Sequence, residues 1–202
     1  MIAENKLAII ETIKDGIEIG LKNAVPVLVN AILYVLTVWI PYLNIGTTIG
    51  ISAGIILKLS KGEQISMTEI FNPMYRKYLG EFFLINGFII LGVLLGLIFG
   101  IIPGIVISIA WSFGLIIKLD KEVNPIEALT QSNKLTYGNK WRMFGIMCII
   151  MIASCILSII FSLLGTIGTL LTIVLVFLLI FVEVGITASI YKNLSKLPES
   201  VE

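Results

Sequence analysis

The chain has 202 residues, 57% of them hydrophobic and 13% charged, with 14 Lys and Arg against 13 Asp and Glu and no histidine. A soluble domain carries about 25% charged residues, so this composition points to a polytopic membrane protein. A net charge of +1 with no Lys/Arg-rich run excludes a broad nucleic-acid footprint, and the lack of histidine removes the commonest general base and metal ligand.

From 4 to 22 the apolar residues Ile9, Ile13, Ile17 and Leu21 fall four apart with Ile10 beside them, and charges of both signs take the other face. This predicts an amphipathic helix, packed on the ends of its own bundle or lying in the lipid headgroup layer. Glu4, Glu11, Asp15 and Glu18 occupy the places where a secretory signal needs basic and apolar residues, so no signal peptide is expected.

A first hydrophobic hairpin is expected over 24–58, its limbs at 24–40 and 44–58 broken at Pro41, with Gly46, Gly50 and Gly54 as a stripe of small residues. Both limbs are short. About 15 residues of helix rise roughly 22 Å against a hydrocarbon core near 30 Å, so the second limb relies on snorkelling by Lys58 or does not cross fully.

The connection 59–80 is polar, and Ser66 with Glu69 has capping-box spacing, which predicts a short helix from Met67 interrupted at Asn72-Pro73. The central hairpin covers 81–118, with limbs 81–102 and 104–118 and Pro103-Gly104 as its turn. Gly92, Gly96, Gly100 and Gly104 recur every fourth residue, and Ser108 and Ser112 continue the series. In the connection 119–140, Asn124 is the expected N-cap, Pro125 the first helical residue and Tyr137-Gly138 the stop, with Leu129, Ser132 and Leu135 on one face. The last hairpin covers 141–191, turning at LLGTIGT, with Ser154, Ser158, Ser162 and Thr166 as a further stripe. Small residues at this spacing let helices approach closely where lipid supplies no hydrophobic drive.

GIILKLSK from Gly54 can be laid on GLIIKLDK from Gly114, and the chain ends its last hairpin in IYKNLSK, which predicts three copies of one hairpin unit. The expected fold is thus a single all-α domain over 1–202, a polytopic transmembrane bundle of six membrane helices arranged as three Pro/Gly-turn hairpins with amphipathic linker helices. All 14 Lys and Arg lie near the termini or in the two long connections. The positive-inside rule then places both termini and both connections in the cytoplasm, with the protein in the cell membrane. A hairpin that enters and leaves one leaflet without spanning satisfies the same charge map.

Glu183 is the one acidic residue inside a hydrophobic stretch, expected about 13 Å from Lys192 along the helix, and Asn30 and Asn86 sit within the first limbs of their hairpins. Each needs a partner in lipid, as structural glue or as the lining of a pathway. Cys148 and Cys155 are seven apart, about 10 Å along a helix and too far for a mutual disulfide. Trp39, Tyr42, Trp111 and Trp141 are candidate interfacial anchors. No P-loop, nucleophile elbow, zinc pattern or paired-carboxylate site is present, so no catalytic residue, metal or cofactor is expected.

Over 103–146, Pro103-Gly104, Glu127-Ala128-Leu129, Ser132, Leu135, Gly138, Trp141 and Phe144 resemble bacterial integral membrane proteins of unknown function allied to the membrane domain of some glycerophosphodiester phosphodiesterases. The resemblance implies a six-helix membrane domain. It carries no phosphodiesterase chemistry, since this chain has neither the catalytic domain nor a histidine. Three functions compete: a non-enzymatic module that self-assembles or scaffolds membrane-protein partners and shapes the bilayer, a homo-oligomeric channel or small transporter, and a lipid-binding or lipid-translocating module.

Overall fold

Apolar periodicity and caps produce helices throughout the computed structural model, which describes residues 6–196; among these there is no strand. Helix α1 (Ile9–Lys22) bends by 73° at Asn23 into α2 (Ala24–Thr37). Helix α3 (Pro41–Ile49) passes through a π-helical stretch at Gly50–Gly54 into α4 (Ile55–Ser60). Two 3₁₀ turns, Glu69–Phe71 and Pro73–Tyr78, lead into α5 (Leu79–Phe99). Then come α6 (Ile101–Trp111), α7 (Gly114–Lys121), α8 (Pro125–Thr136), α9 (Lys140–Ser162) and α10 (Gly165–Ser195). Among the described residues five segments are long and apolar enough to cross a membrane: Pro41–Ser60, Pro73–Phe99, Ile101–Lys121, Lys140–Ser162 and Gly165–Ser195; the bent α1–α2 pair would make a sixth. The amphipathic helix expected from Glu4 begins at Ile9, and Glu4 itself lies outside the described residues.

Three local expectations are corrected. The central turn falls at Gly100, whose φ of 145° only glycine takes comfortably, and not at Pro103-Gly104. Pro103 sits in the first turn of α6, where a missing N–H costs nothing, and Gly104 is inside that helix. The second limb is also not continuous to Lys118, because it breaks at Ser112-Phe113 between α6 and α7. Finally, the Ser66–Glu69 capping box does not form. The Ser66 hydroxyl accepts from the Thr68 N–H at 3.3 Å, and Glu69 turns inward to the Lys58 ammonium and the Tyr75 hydroxyl, each at 2.9 Å. Elsewhere the punctuation holds: Pro41 opens α3, the Asn124 side chain accepts from the Glu127 N–H at 2.8 Å, and Gly138 and Gly165 adopt positive φ at their turns.

The packed core sits at one end of the molecule, where α4, α7, α8 and the last third of α10 bury Ile55, Leu59, Phe113, Ile117, Ala128, Ala188 and Leu194. Polar side chains lace the same end. Lys61 pairs with Asp120 at 2.5 Å, and the Tyr191 hydroxyl donates to Asp120 at 2.8 Å. Lys118 meets Glu81 at 3.3 Å, and the Tyr78 hydroxyl donates to Glu122 at 2.9 Å. The Leu7 N–H donates to the Asn139 side chain, and Arg142 donates to the Leu7 carbonyl, both at 2.8 Å. The N-terminal segment, both long connections and the end of α10 therefore meet at one charged base. The turns at Gly100 and Gly165, with Phe99 and Leu163 exposed beside them, form the opposite, uncharged tips.

Candidate functional site

The small residues singled out in the sequence do three different jobs. In the α5–α6 hairpin they make a close contact between helices: a Cβ on Gly96 would collide with the Gly104 backbone, one on Gly104 with Leu97, and one on Gly92 with the Trp111 ring. Trp111 is thereby a packing residue, while Trp39 and Trp141 stay largely exposed. Ser108 and Ser112 are not part of that contact; both are exposed and bond back to the carbonyls of Ile105 and Ile109. The contact line on α6 runs through Gly104, Ile107 and Trp111, with Ile107 against Gly96 and Trp111 against Gly92, which leaves Ser108 and Ser112 on its flank. Gly96→Leu should wedge this hairpin open, while Gly87→Leu, where a Cβ meets open space, should not; equal thermal stability of the two variants in detergent would refute the contact.

Gly46, Gly50 and Gly54 face no apolar helix. Cβ atoms there would meet Arg76, then Ile70 and Tyr75, then the Tyr75 phenol ring. The stripe is a trough for the polar connection 69–78. In the α9–α10 hairpin, Ser154 and Ser158 are half-buried and Ser162 is exposed, while the closest approach is made by Gly168 against the Phe161 carbonyl.

The tightest helix pair was missed. Thr12, Gly16 and Gly20 are the buried face of α1, and Gly16 and Gly20 lie on Gly185, Ile186 and the Phe181 carbonyl of α10 so closely that no side chain fits. Asp15 completes the joint, accepting from the Ser189 hydroxyl at 2.9 Å and pairing with Lys192 at 3.1 Å. The signal was present as a four-residue spacing of small residues on α1. The isoleucine stripe on the same helix masks it, although Ile10 and Leu21 are exposed.

Each polar candidate has a definite place. Asn30 is fully buried: its amide donates to the carbonyls of Pro26 and Ser66 at 2.8 Å, and its oxygen accepts from the Ile70 N–H at 3.0 Å. It caps backbone that would otherwise be orphaned. Asn86 is half-buried and donates to the Phe82 carbonyl one turn back. Glu183 is exposed, and the Thr187 hydroxyl bonds its backbone carbonyl, not its carboxyl. Counted from the turn at Leu163-Leu164, Glu183 stands level with Phe144, within a turn of Trp141 and Arg142. It belongs to the charged end and not to the apolar middle. The reason is length: 31 residues of α10 rise about 46 Å, well past a hydrocarbon core of about 30 Å.

Ser132, an amphipathic position and one of the residues of the 103–146 resemblance, repairs the α6–α7 break. Its hydroxyl donates to the Ala110 carbonyl at 2.7 Å and accepts from the Phe113 N–H at 3.1 Å. Glu69 anchors the other connection. Burial pushes its carboxyl up, but Lys58, Tyr75 and the Ser66 backbone outweigh this and hold it below the ordinary carboxylate range. A carboxyl lowered on folding stabilises above its unfolded value, about 4.3, and loses that contribution as pH falls through its own lower value. The wild type should therefore lose thermal stability below about pH 4.3 more steeply than Glu69→Gln does, as melting curves in detergent would record.

A groove of about 450 Å³ beside the α1–α10 joint is lined by Lys6, Glu11, Asp15, Lys192 and Lys196 among others. Its mixed charges include the Asp15–Lys192 pair, so it presents no field of one sign. Among the described residues no group of three or more His, Cys, Asp or Glu side chains is placed to hold a metal, and Cys148 and Cys155 are free thiols.

Fold and contacts together describe an all-helical protein with several helices long and apolar enough to cross a membrane, built on a charged, close-packed base from which apolar hairpins project. Compared with family models, curated proteins and solved structures, the chain matches none.

Proposed function

We propose that the chain is a non-enzymatic integral membrane module of the cell membrane that works by association, with itself or with membrane-protein partners, and that shapes the bilayer around it. The observation that carries this is the contrast between its two ends. The base satisfies its own polar groups, whereas α5, α9 and α10 leave most of their apolar length uncovered: only 11%, 6% and 17% of the respective apolar windows is buried. Phe83, Phe88, Leu91 and Leu95 on α5 and Met147, Met151, Ile156 and Ile159 on α9 stand exposed along the two hairpins. In lipid such faces gain by packing against other helices.

Both termini and both connections are assigned to the cytoplasm on the positive-inside rule. Their shared location at one end supports an even number of crossings, six as expected from hydropathy or four. The three-copy repeat belongs to the same proposal. Its support is that Lys58, Lys118 and Lys192, near the ends of the three second limbs, pair with Glu69, Glu81 and Asp15 respectively.

The pore reading has less support, because Asn30 and Asn86 spend their side chains on backbone and Glu183 stands at the charged end. The lipid-binding reading rests on the resemblance at 103–146 and on the exposed apolar edge of the base. Reconstitution in nanodiscs and liposomes tests the proposal. One discrete assembly above the monomer, with loaded liposomes changing shape, is the expected outcome. Monomers at every protein-to-lipid ratio in spherical vesicles with no recovered partner would refute it, and ion flux through those vesicles would restore the channel.

A further inference from the structure

We infer that the first hairpin, residues 24–60, does not cross the bilayer but lies in the plane of one leaflet, on the charged side. The inference rests on the membrane reading above, with the α5–α6 and α9–α10 hairpins as the true spans.

Both ends of the α3–α4 segment are held at the charged base. Pro41–Ser60 is 20 residues long, about 30 Å of helix, so a transmembrane course would put its two ends on opposite sides of the hydrocarbon. At its C-terminal end Lys61 pairs with Asp120 at 2.5 Å. At its N-terminal end the Tyr42 ring lies 4.8 Å from the Arg76 guanidinium, and the Arg76 stem runs over Gly46. Arg76 and Lys77 immediately precede Tyr78 and Glu81, which are bonded to Glu122 and Lys118 next to Asp120. Tyr42 is therefore anchored beside the start of α5, not near the tips at Gly100 and Gly165.

The flank of the segment agrees. The connection 69–78 lies along it, with Glu69 on Lys58, Tyr75 on Gly54 and Gly50, and Arg76 on Gly46. A crossing would carry Tyr75 and Arg76, which lie on Gly50 and Gly46, away from the charged base and into the hydrocarbon. More than half of this segment's apolar window (56%) is buried inside the protein, as suits a helix covered by a polar strap. Helix α2, at 14 residues or about 21 Å, is too short to span, and its midpoint Asn30 is tied to the carbonyl of Ser66 and the N–H of Ile70 in the same connection.

What covers the remaining edge is lipid. Ile10 and Leu21 of α1, Val25, Ile32, Val35 and Leu36 of α2, and Trp39, Ile40 and Tyr42 at the turn are all exposed. Apolar side chains ending in Trp and Tyr suit the boundary between headgroups and acyl chains. The chain then has four crossings, with extra helix volume inserted into the cytoplasmic leaflet alone, the asymmetry that bends a bilayer.

Single cysteines at Trp39, Gln64 and Leu164, in a Cys148→Ala, Cys155→Ser background, would be probed with a membrane-impermeant maleimide from each side of oriented vesicles. Trp39→Cys should react from the side that labels Gln64→Cys, and Leu164→Cys from the other. Reaction of Trp39→Cys from the Leu164 side overturns the inference, and so does reaction from neither side, which would bury the turn in hydrocarbon. If Gln64→Cys and Leu164→Cys react from one side, the α9–α10 hairpin itself fails to span, and the membrane reading falls together with this one.

Discussion

Gly185→Leu is expected to detach α1 from the body of the protein and to lower stability by about 3 kcal/mol or more. The Gly185 position faces the Gly16 carbonyl and the Gly20 backbone, so the added side chain meets main chain that cannot rotate away. Relief requires α1 to move, and moving it breaks the Asp15 bonds to Ser189 and Lys192. Limited proteolysis should cut within 9–22 in the variant and leave that stretch intact in the wild type. Gly80→Leu is the control, because nothing lies within 4 Å of a Cβ there. Equal melting temperatures for the two variants would show that α1 is not held by this joint.

Asn30→Leu should be of comparable size. The substitution keeps the branched shape of the side chain but removes two donated bonds and one accepted bond. The Ile70 N–H is then left buried without its partner, Ile70 being 1% exposed. Each buried unsatisfied group costs about 1–3 kcal/mol, and the Ile70 N–H alone sets a loss of that size, because the exposed Ser66 carbonyl can turn to water. Proteolysis within 64–72 and a lower melting temperature in detergent would record it. Asn30→Asp keeps the acceptor for Ile70 but turns a buried carboxylate oxygen toward the Pro26 and Ser66 carbonyls, so it should destabilise at least as much. If Asn30→Leu is neutral, the connection is not pinned by this side chain, and the argument for an in-plane hairpin loses one of its supports.

The two joints differ in how far they could be read without coordinates. The glycines of α5 were legible as a contact because lipid leaves helices few other ways to associate, and Gly92, Gly96 and Gly104 do meet the facing limb. The identical spacing at Gly46, Gly50 and Gly54 was misread, since a stripe of small residues specifies a close approach but not what approaches. Here it is Tyr75 and Arg76 of a polar connection. Glu69 shows the same limit. Its spacing from Ser66 suited a capping box, but the pull of Lys58 and Tyr75 outweighed a local bond open to solvent.

By itself the sequence determined that the chain is helical, apolar enough for a membrane, capped at Asn124, turned at Gly138 and around Gly165, and charged at one end of its hairpins only. These are properties of composition and of interactions within a few residues, so they need no knowledge of neighbours. Only the tertiary structure decided that α1 docks through glycines instead of isoleucines, that Glu183 stands level with Phe144, that Ser132 and Asn30 satisfy distant backbone, and that both ends of α3–α4 meet the charged base. Each of those depends on which residues far apart in the chain share one place. Hydropathy and spacing cannot carry that, because a 30 Å apolar helix reads the same whether it crosses a bilayer or lies along it.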